Sequence, residues 1–435
     1  MPDTLEHWIE AQSRLSALGL MRSISCGLTK KRPGFSQSVS ARPGSVVASP
    51  VLAAYDPDPD YFFHWFRDSA IVMDALRLIP GDGLRAWTRQ AFDDFVAFSL
   101  SLQDLAGESL VKSSAWRAAA APNFKQYLRS DAELASVQGA QVAADTRVNP
   151  DGTLDISKWA RPQYDGAALR ALTLLRWLPS PAGGEPAHAT AEQLLRIDLA
   201  NTQSQCRNAC FDIWEEEKGF HYYTLRVSAA ALLQGAEWLG ARGESHLADA
   251  CRGSGSEVMT LLDGYWRAHE GYYGSRLLES GAHSTKDLDF AVILATLHSD
   301  AKDGRHSVFD PRLQSTFEKL TDLFDAEYPL NRGREAGLGP AMGRYANDKY
   351  YSGGPYFFST LGAAEFCYRL AAAQGRDNSW SQRGDGFLRT VRRYAPPDGA
   401  FAEQFDRDSG SPSSARDLAW SHAALLSCLH ARRLI

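Results

Sequence analysis

Apolar residues recur at three- and four-residue spacing through most of the chain, the period that lines up one face of an α-helix. This pattern predicts helices over 4–20, 68–79, 83–104, 164–178, 189–210 and 224–242, and again over 244–266, 285–298, 314–326, 355–374, 384–394 and 416–434. Alanine and leucine, both good helix formers, fill these stretches. Asp68-Ser69 and Pro355 mark helix starts, and Gly240 and Gly375 stand near helix ends. No apolar–polar alternation is long enough to build a sheet, so the expectation is an all-α protein of about twelve helices.

The absence of self-similarity at roughly 34 to 47 residues argues against an open solenoid. What recurs is chemistry in the connections. Charged and aromatic clusters fall at Arg67–Asp68, Trp159–Arg161, Trp214–Glu216, Lys286–Asp287, Arg344–Tyr345 and Glu403–Gln404. Hairpins alternating up and down would gather these clusters at one end and build a pocket from distant segments. The Gly/Pro/Ser-rich stretches 32–50, 179–187 and 407–414 read as loops, and the alanine-rich segment 113–146 takes no definite form. None of them reads as a linker, so a single domain over 1–435 is expected.

Charge and cysteine usage narrow the function. The 435 residues carry 46 basic and 52 acidic side chains, a net charge of −6, with no block of like charge. No nucleic-acid partner is therefore expected. No apolar run approaches the roughly 18 to 20 residues of a membrane span. The acid-bearing N-terminus does not read as a secretory signal, which favours a cytoplasmic location and leaves a secreted mature form open. A monomer is expected. Six scattered cysteines include no CxxC pair, and Cys206 and Cys210 are expected to share a helix face. HExxH, Walker-type and G-x-S-x-G strings are absent. The DPDPD run at 56–60 has calcium-loop spacing, but Tyr61 stands where the turn needs glycine. The Asp406–Asp408–Gly410 stretch is similar, and both read as polar loops. No metal and no cofactor are expected.

Aromatics and carboxylates carry the remaining signal. Among 11 Trp, 16 Tyr and 20 Phe, several tryptophans (Trp65, Trp159, Trp214, Trp420) lie beside charges. Such a mixture suits a ligand with CH faces and hydroxyls, such as a sugar, as well as it suits ordinary packing. Glu215 and Glu216 follow Trp214, and Glu403 lies in FAEQFDRD. Two carboxyl groups meeting in an aromatic pocket are the equipment of a glycosidase, one protonated through burial and one ionised. Their spacing fits solvated helix ends equally well. Arg67–Asp68 is either a clamp on adjacent hydroxyls or a helix-start ion pair.

Five blocks carry a more specific signal. PGSVVASP (43–50) with DYFFHWFRDSA (60–70), NPDGTLDISKWARPQYDGAALRA (149–171) and DIWEEEKGFHYYTLRVSAAAL (212–232) are followed by two more. These are MGRYANDKYYSGGPYFFSTLGAAE (342–365) and FAEQFDRDSGSPSSARDLAWSHAALL (401–426). In sequence and order the blocks resemble the glucoamylases, glycoside hydrolase family fifteen, which are inverting exo-acting glucosidases. The resemblance implies an (α/α)6 barrel, a toroid of six helical hairpins, in agreement with the helix count. It also implies release of β-glucose from terminal α-1,4 linkages at the non-reducing ends of soluble α-glucans. Glu215 matches the family's general acid and Glu403 its general base. Arg67 and Asp68 match the pair gripping the terminal glucose, with Tyr61 and Trp65 lining the same pocket. Trp214, Arg344 and Trp420 match further positions around that sugar. Glu216, Trp159 and Tyr350 match positions nearer the leaving group or supporting the acid.

Departures from the family pattern cluster around these residues. Tyr356 replaces a tryptophan of the fungal enzymes, Phe405 and His422 replace tyrosines, His64 precedes Trp65, and Arg147 takes a lysine's place. They leave acid and base intact and bear on linkage. Preference for α-1,6-glucans or trehalose is an alternative, and a catalytically silent carbohydrate-binding or regulatory barrel is another. Neither a starch-binding module nor an N-terminal β-sandwich is expected.

Overall fold

Two kinds of helix build the molecule. The helix Ala291–Ser299 buries every residue but His298, and a helix apolar all round must be covered on all sides. Pro311–Glu327 instead buries one stripe, Leu313, Thr316, Phe317, Leu320 and Phe324, and faces solvent elsewhere. Its start is set locally: the Asp310 side chain accepts from the Arg312 N–H, and Pro311 occupies a position whose N–H has no helical partner. The computed structural model describes all residues except 1–3, 54–57, 80–81, 114, 179–187, 302–303 and 375–378. The loop expected at 179–187, the first two residues of the DPDPD run and Gly375 lie outside the described residues.

Six helices of the first kind pack side to side in a closed ring: Phe66–Leu76, Asp165–Trp177, Tyr222–Gly240, Ala291–Ser299, Phe357–Gln374 and Ala419–Arg433. Six others surround it: Leu5–Ser23, Arg85–Ser101, Ala189–Gln205, Ser245–Asp263, Pro311–Glu327 and Ser379–Tyr394. The outer helices seal the ring with aromatic contacts such as Phe317 on Phe366, ring centroids 4.6 Å apart. This is the expected (α/α)6 barrel. Each of the six charged and aromatic clusters precedes or opens an inner helix. No helix among the described residues is long and apolar enough to cross a membrane.

The structure corrects the sequence reading in several places. The helix expected over 285–298 begins only at Ala291, because Asp287 and Asp289 are drawn off to Arg267 and Arg276. The helix expected over 189–210 stops at Gln205, because Cys210–Phe211 pairs with Lys218–His221 as antiparallel strands. Cys206 and Cys210 therefore share no helix face, although both are buried free thiols. Strands do occur, in small ladders two to four residues long, too short to show a period of two in sequence. One crosses the loop expected at 32–50, where Thr29–Arg32 pairs with Gln37–Ser40. The 113–146 segment contains the short helices Ala115–Ala119, Asp131–Ala135 and Ala140–Ala143; Ser130 and Glu133 close a capping box at the second.

Candidate active site

Where the inner helices begin, the connections enclose a cavity of about 320 Å³. All twelve residues singled out in the sequence line it: Tyr61, Trp65, Arg67 and Asp68; Trp159; Trp214, Glu215 and Glu216; Arg344 and Tyr350; Glu403 and Trp420. Asp287 of the Lys286–Asp287 cluster turns away to Arg267 and the Ser275 N–H. Arg161 ties Asp145 and Asp155 behind the wall.

Glu215 sits in a turn at φ +66°, a left-handed conformation that typically costs a non-glycine residue about 1–3 kcal/mol. Asp212 holds that turn. Its carboxylate accepts from the N–H groups of Trp214 (2.8 Å), Glu216 (3.1 Å) and Glu217 (3.2 Å), and from Arg276 (2.7 Å). The backbone thereby aims the Glu215 carboxyl into the cavity. There Trp65 Nε1 donates to Oε1 at 2.8 Å, Arg67 Nη2 donates at 3.3 Å, and Trp159 Nε1 donates to Oε2. The Arg147 guanidinium lies 3.5 Å from the centroid of Trp159 and 4.6 Å from that of Trp65, within cation–π range of both donors.

Arg67 donates through Nη1 to Gln163 (2.6 Å) and Asp165 (2.8 Å). Burial works against its charge, but Asp165, Glu215 and Asp68 more than compensate and raise its pKa. Its Nε is buried without a protein partner, 4.0 Å from Asp68 Oδ2. Burial pushes the Asp68 carboxyl up to about 7, against the opposing pull of Arg67. Donor and acceptor thus lie side by side with no hydrogen bond between them.

Glu403 stands before the strand Gln404–Phe405, which folds back on Pro412–Ser413. This return brings the Ser414 hydroxyl to donate to Glu403 Oε2. Tyr61 donates to the same oxygen at 3.4 Å and meets the Tyr350 hydroxyl at 2.9 Å. Burial pushes Glu403 up to about 7, although Ser414 and Arg344 work in the opposite direction. On the facing wall Glu216 accepts from Arg344 (3.0 Å), Lys286 (2.6 Å) and Tyr345. Trp214 Nε1 donates to both oxygens of Asp289, at 3.0 and 2.9 Å. Trp420 stacks on Phe358 with centroids 4.4 Å apart.

Sequence reasoning missed Ser414, Phe358, Asp289, Arg276 and Asp212. Only Asp212 left a local signal, since an aspartate two residues before Trp214 is placed to cap the turn with its side chain. Phe358 lines the cavity itself, whereas Ser414, Asp289 and Arg276 act on it through Glu403, Trp214 and Asp212. Phe358 and Ser414 lie inside the quoted blocks, and Asp289 and Arg276 lie outside all of them. Asp406, whose loop has calcium-like spacing, spends its carboxylate on the N–H groups of Asp408 and Ser409.

Two carboxyl groups, N–H donors, hydroxyls and a guanidinium–carboxylate pair in an aromatic cavity can bind a polyhydroxylated molecule and move protons at an acetal. Comparison with known proteins points the same way. The chain is 25% identical to "Glucoamylase 1" of Rhizopus oryzae over 99% of its own length and 71% of that protein's. It is 29% identical to a glucoamylase of Neurospora crassa over 89% of its own length and 63% of the relative's. The solved structure of Hormoconis resinae glucoamylase superposes with a TM-score of 0.77 at 25% identity, covering 99% of this chain and 74% of that one. The model of glycosyl hydrolases family 15 matches residues 36–382 and 378–430, and with nearly the whole ring inside that match, the chain belongs to this family of glycoside hydrolases.

Proposed function

We propose that the protein is an exo-acting, inverting α-glucosidase that releases β-glucose from the non-reducing ends of soluble α-1,4-glucans. One observation carries the reading: Glu215 and Glu403, from distant segments of the chain, line one cavity whose wall also presents Arg67 and Asp68. The Arg67 guanidinium and the Asp68 carboxyl, both lining the cavity, supply a donor and an acceptor for neighbouring hydroxyls of a terminal sugar. Glu215 gives its proton to the glycosidic oxygen as the bond to the anomeric carbon breaks. Glu403 takes a proton from the water attacking the opposite face, so each turnover consumes one water and inverts the configuration. Both carboxyl groups regain their starting state by proton exchange with solvent. Trp159, at 40% exposure, stands at the rim, where the departing chain would lie.

Glutamine variants of the two carboxyl residues test the assignment. Glu215→Gln should lose about 10² to 10⁴ in rate on maltose, but much less on α-glucosyl fluoride, whose leaving group needs no proton. Glu403→Gln should lose a similar factor on both substrates. Relief by fluoride in the Glu403 variant alone would reverse the roles. Initial release of α-glucose, read by proton NMR before mutarotation, would rule out inversion.

A further inference from the structure

The ring encloses a second cavity, of about 460 Å³, around the far ends of its inner helices. That volume falls within the roughly 300–1,000 Å³ of small-molecule sites. Phe358 and Trp420, stacked with 7° between their planes, line this cavity and the catalytic one alike. The two spaces are back to back across one aromatic wall.

The remaining wall is charged but balanced. Asp74 sits between Arg77 (2.8 Å) and Arg176 (2.6 Å), and Arg369 between Glu365 (2.9 Å) and Asp300 (2.7 Å). Among the described lining residues, three guanidinium groups thus face three carboxylates. A charged occupant would have to disturb one of these pairs, whereas a neutral molecule can hydrogen-bond to them as they stand. His298 adds a neutral polar group. Burial pushes its pKa down to about 3, its Nδ1 meets the Tyr223 hydroxyl at 2.7 Å, and its ring lies 6.0 Å from Trp420. Leucine, isoleucine and Phe309 side chains complete the lining. Apolar faces among balanced polar groups match a molecule with CH faces and hydroxyl edges.

We propose that this far cavity is a second binding site, for a small neutral polyol of about hexose size, and that its occupant influences the catalytic cavity through the shared Phe358–Trp420 wall. The proposal rests on the cavity and its lining, independently of the roles given to Glu215 and Glu403. Two part-exposed lining positions away from the shared wall allow the space to be filled: Ser427 on Ala419–Arg433 and Ile71 on Phe66–Leu76.

Equilibrium dialysis with labelled glucose provides the test, with circular dichroism and Tm showing that each variant is folded. Ser427→Phe and Ile71→Phe should each bind one equivalent fewer than wild type, with kcat in the absence of added glucose within about twofold of it. Either variant suffices if the other fails to fold. Equal stoichiometry in wild type and both folded variants would overturn the site. In steady-state kinetics, glucose should lower wild-type kcat as well as raise KM, and only the KM effect should survive in the filled variants. Purely competitive inhibition of the wild type would overturn the coupling.

Discussion

Replacing Glu403 by glutamine should make the protein more stable at neutral and alkaline pH and change little near pH 4.5. Glutamine keeps the shape and an acceptor for Ser414 while removing the ionisable proton. In the folded protein burial raises Glu403 from 4.5 to about 7, so the folded state holds a proton that the unfolded chain has already lost. The stability associated with that proton is fully present below about pH 4.5 and is lost as pH rises through about 7. At about 1.36 kcal/mol per pH unit, the interval from 4.5 to about 7 corresponds to about 3 kcal/mol. Because the carboxyl keeps some access to the cavity, this is the upper end. With an unfolding entropy of ~2.1 cal/mol/K per residue, a chain of 435 residues has ~0.9 kcal/mol/K, and the stability difference becomes about 3 °C in Tm. Scanning calorimetry of wild type and variant at pH 4.5 and pH 8 confines the difference to Glu403 and the groups coupled to it, Asp68 among them, since uncoupled titrating groups cancel in the comparison. A Tm difference that is the same at both pH values would refute the burial argument.

The same titration should appear in kinetics: kcat/KM should fall on the acid side with a midpoint near pH 7, where Glu403, the proposed base, becomes protonated in the free enzyme. Asp68 is raised to a similar value, so the limb should be steeper than one proton and return to one in Asp68→Asn; a midpoint near pH 4.5 would refute the assignment. Asp212→Asn should lower kcat by about tenfold or more with less effect on KM, because it loosens the turn that aims Glu215 rather than a sugar contact; an unchanged kcat would show that the turn holds without it. At Gly354 a Cβ would lie 2.2 Å from the Phe405 carbonyl oxygen, so Gly354→Ala should displace the strand that follows Glu403, costing about 1–3 kcal/mol in chemical denaturation and reducing kcat, and wild-type values for both would disprove the clash.

The sequence alone determined which segments become helices and which connections carry chemistry. Helix identity depends on a local period of 3.6, so twelve apolar stripes could be read directly, and the six clusters stood out by recurring in the connections, although each one alone fitted ordinary packing equally well. Pocket composition was also legible, through five blocks whose residues now line one cavity. Boundaries were less so: Ala291–Ser299 starts late because Asp289 is claimed by Arg276 and Trp214, and neither partner lies near it in the sequence pattern of that helix. Only the tertiary structure decided how the helices close into a ring, which face of each connection turns inward, and that Ser414 reaches Glu403. It also decided that Glu403 and Asp68 hold their protons to near neutrality, because burial is set by segments from the whole length of the chain and leaves no trace at the residue itself. The cavity at the far end has the same origin: its paired charges come from several helices and connections, and their balance exists only once the ring is closed.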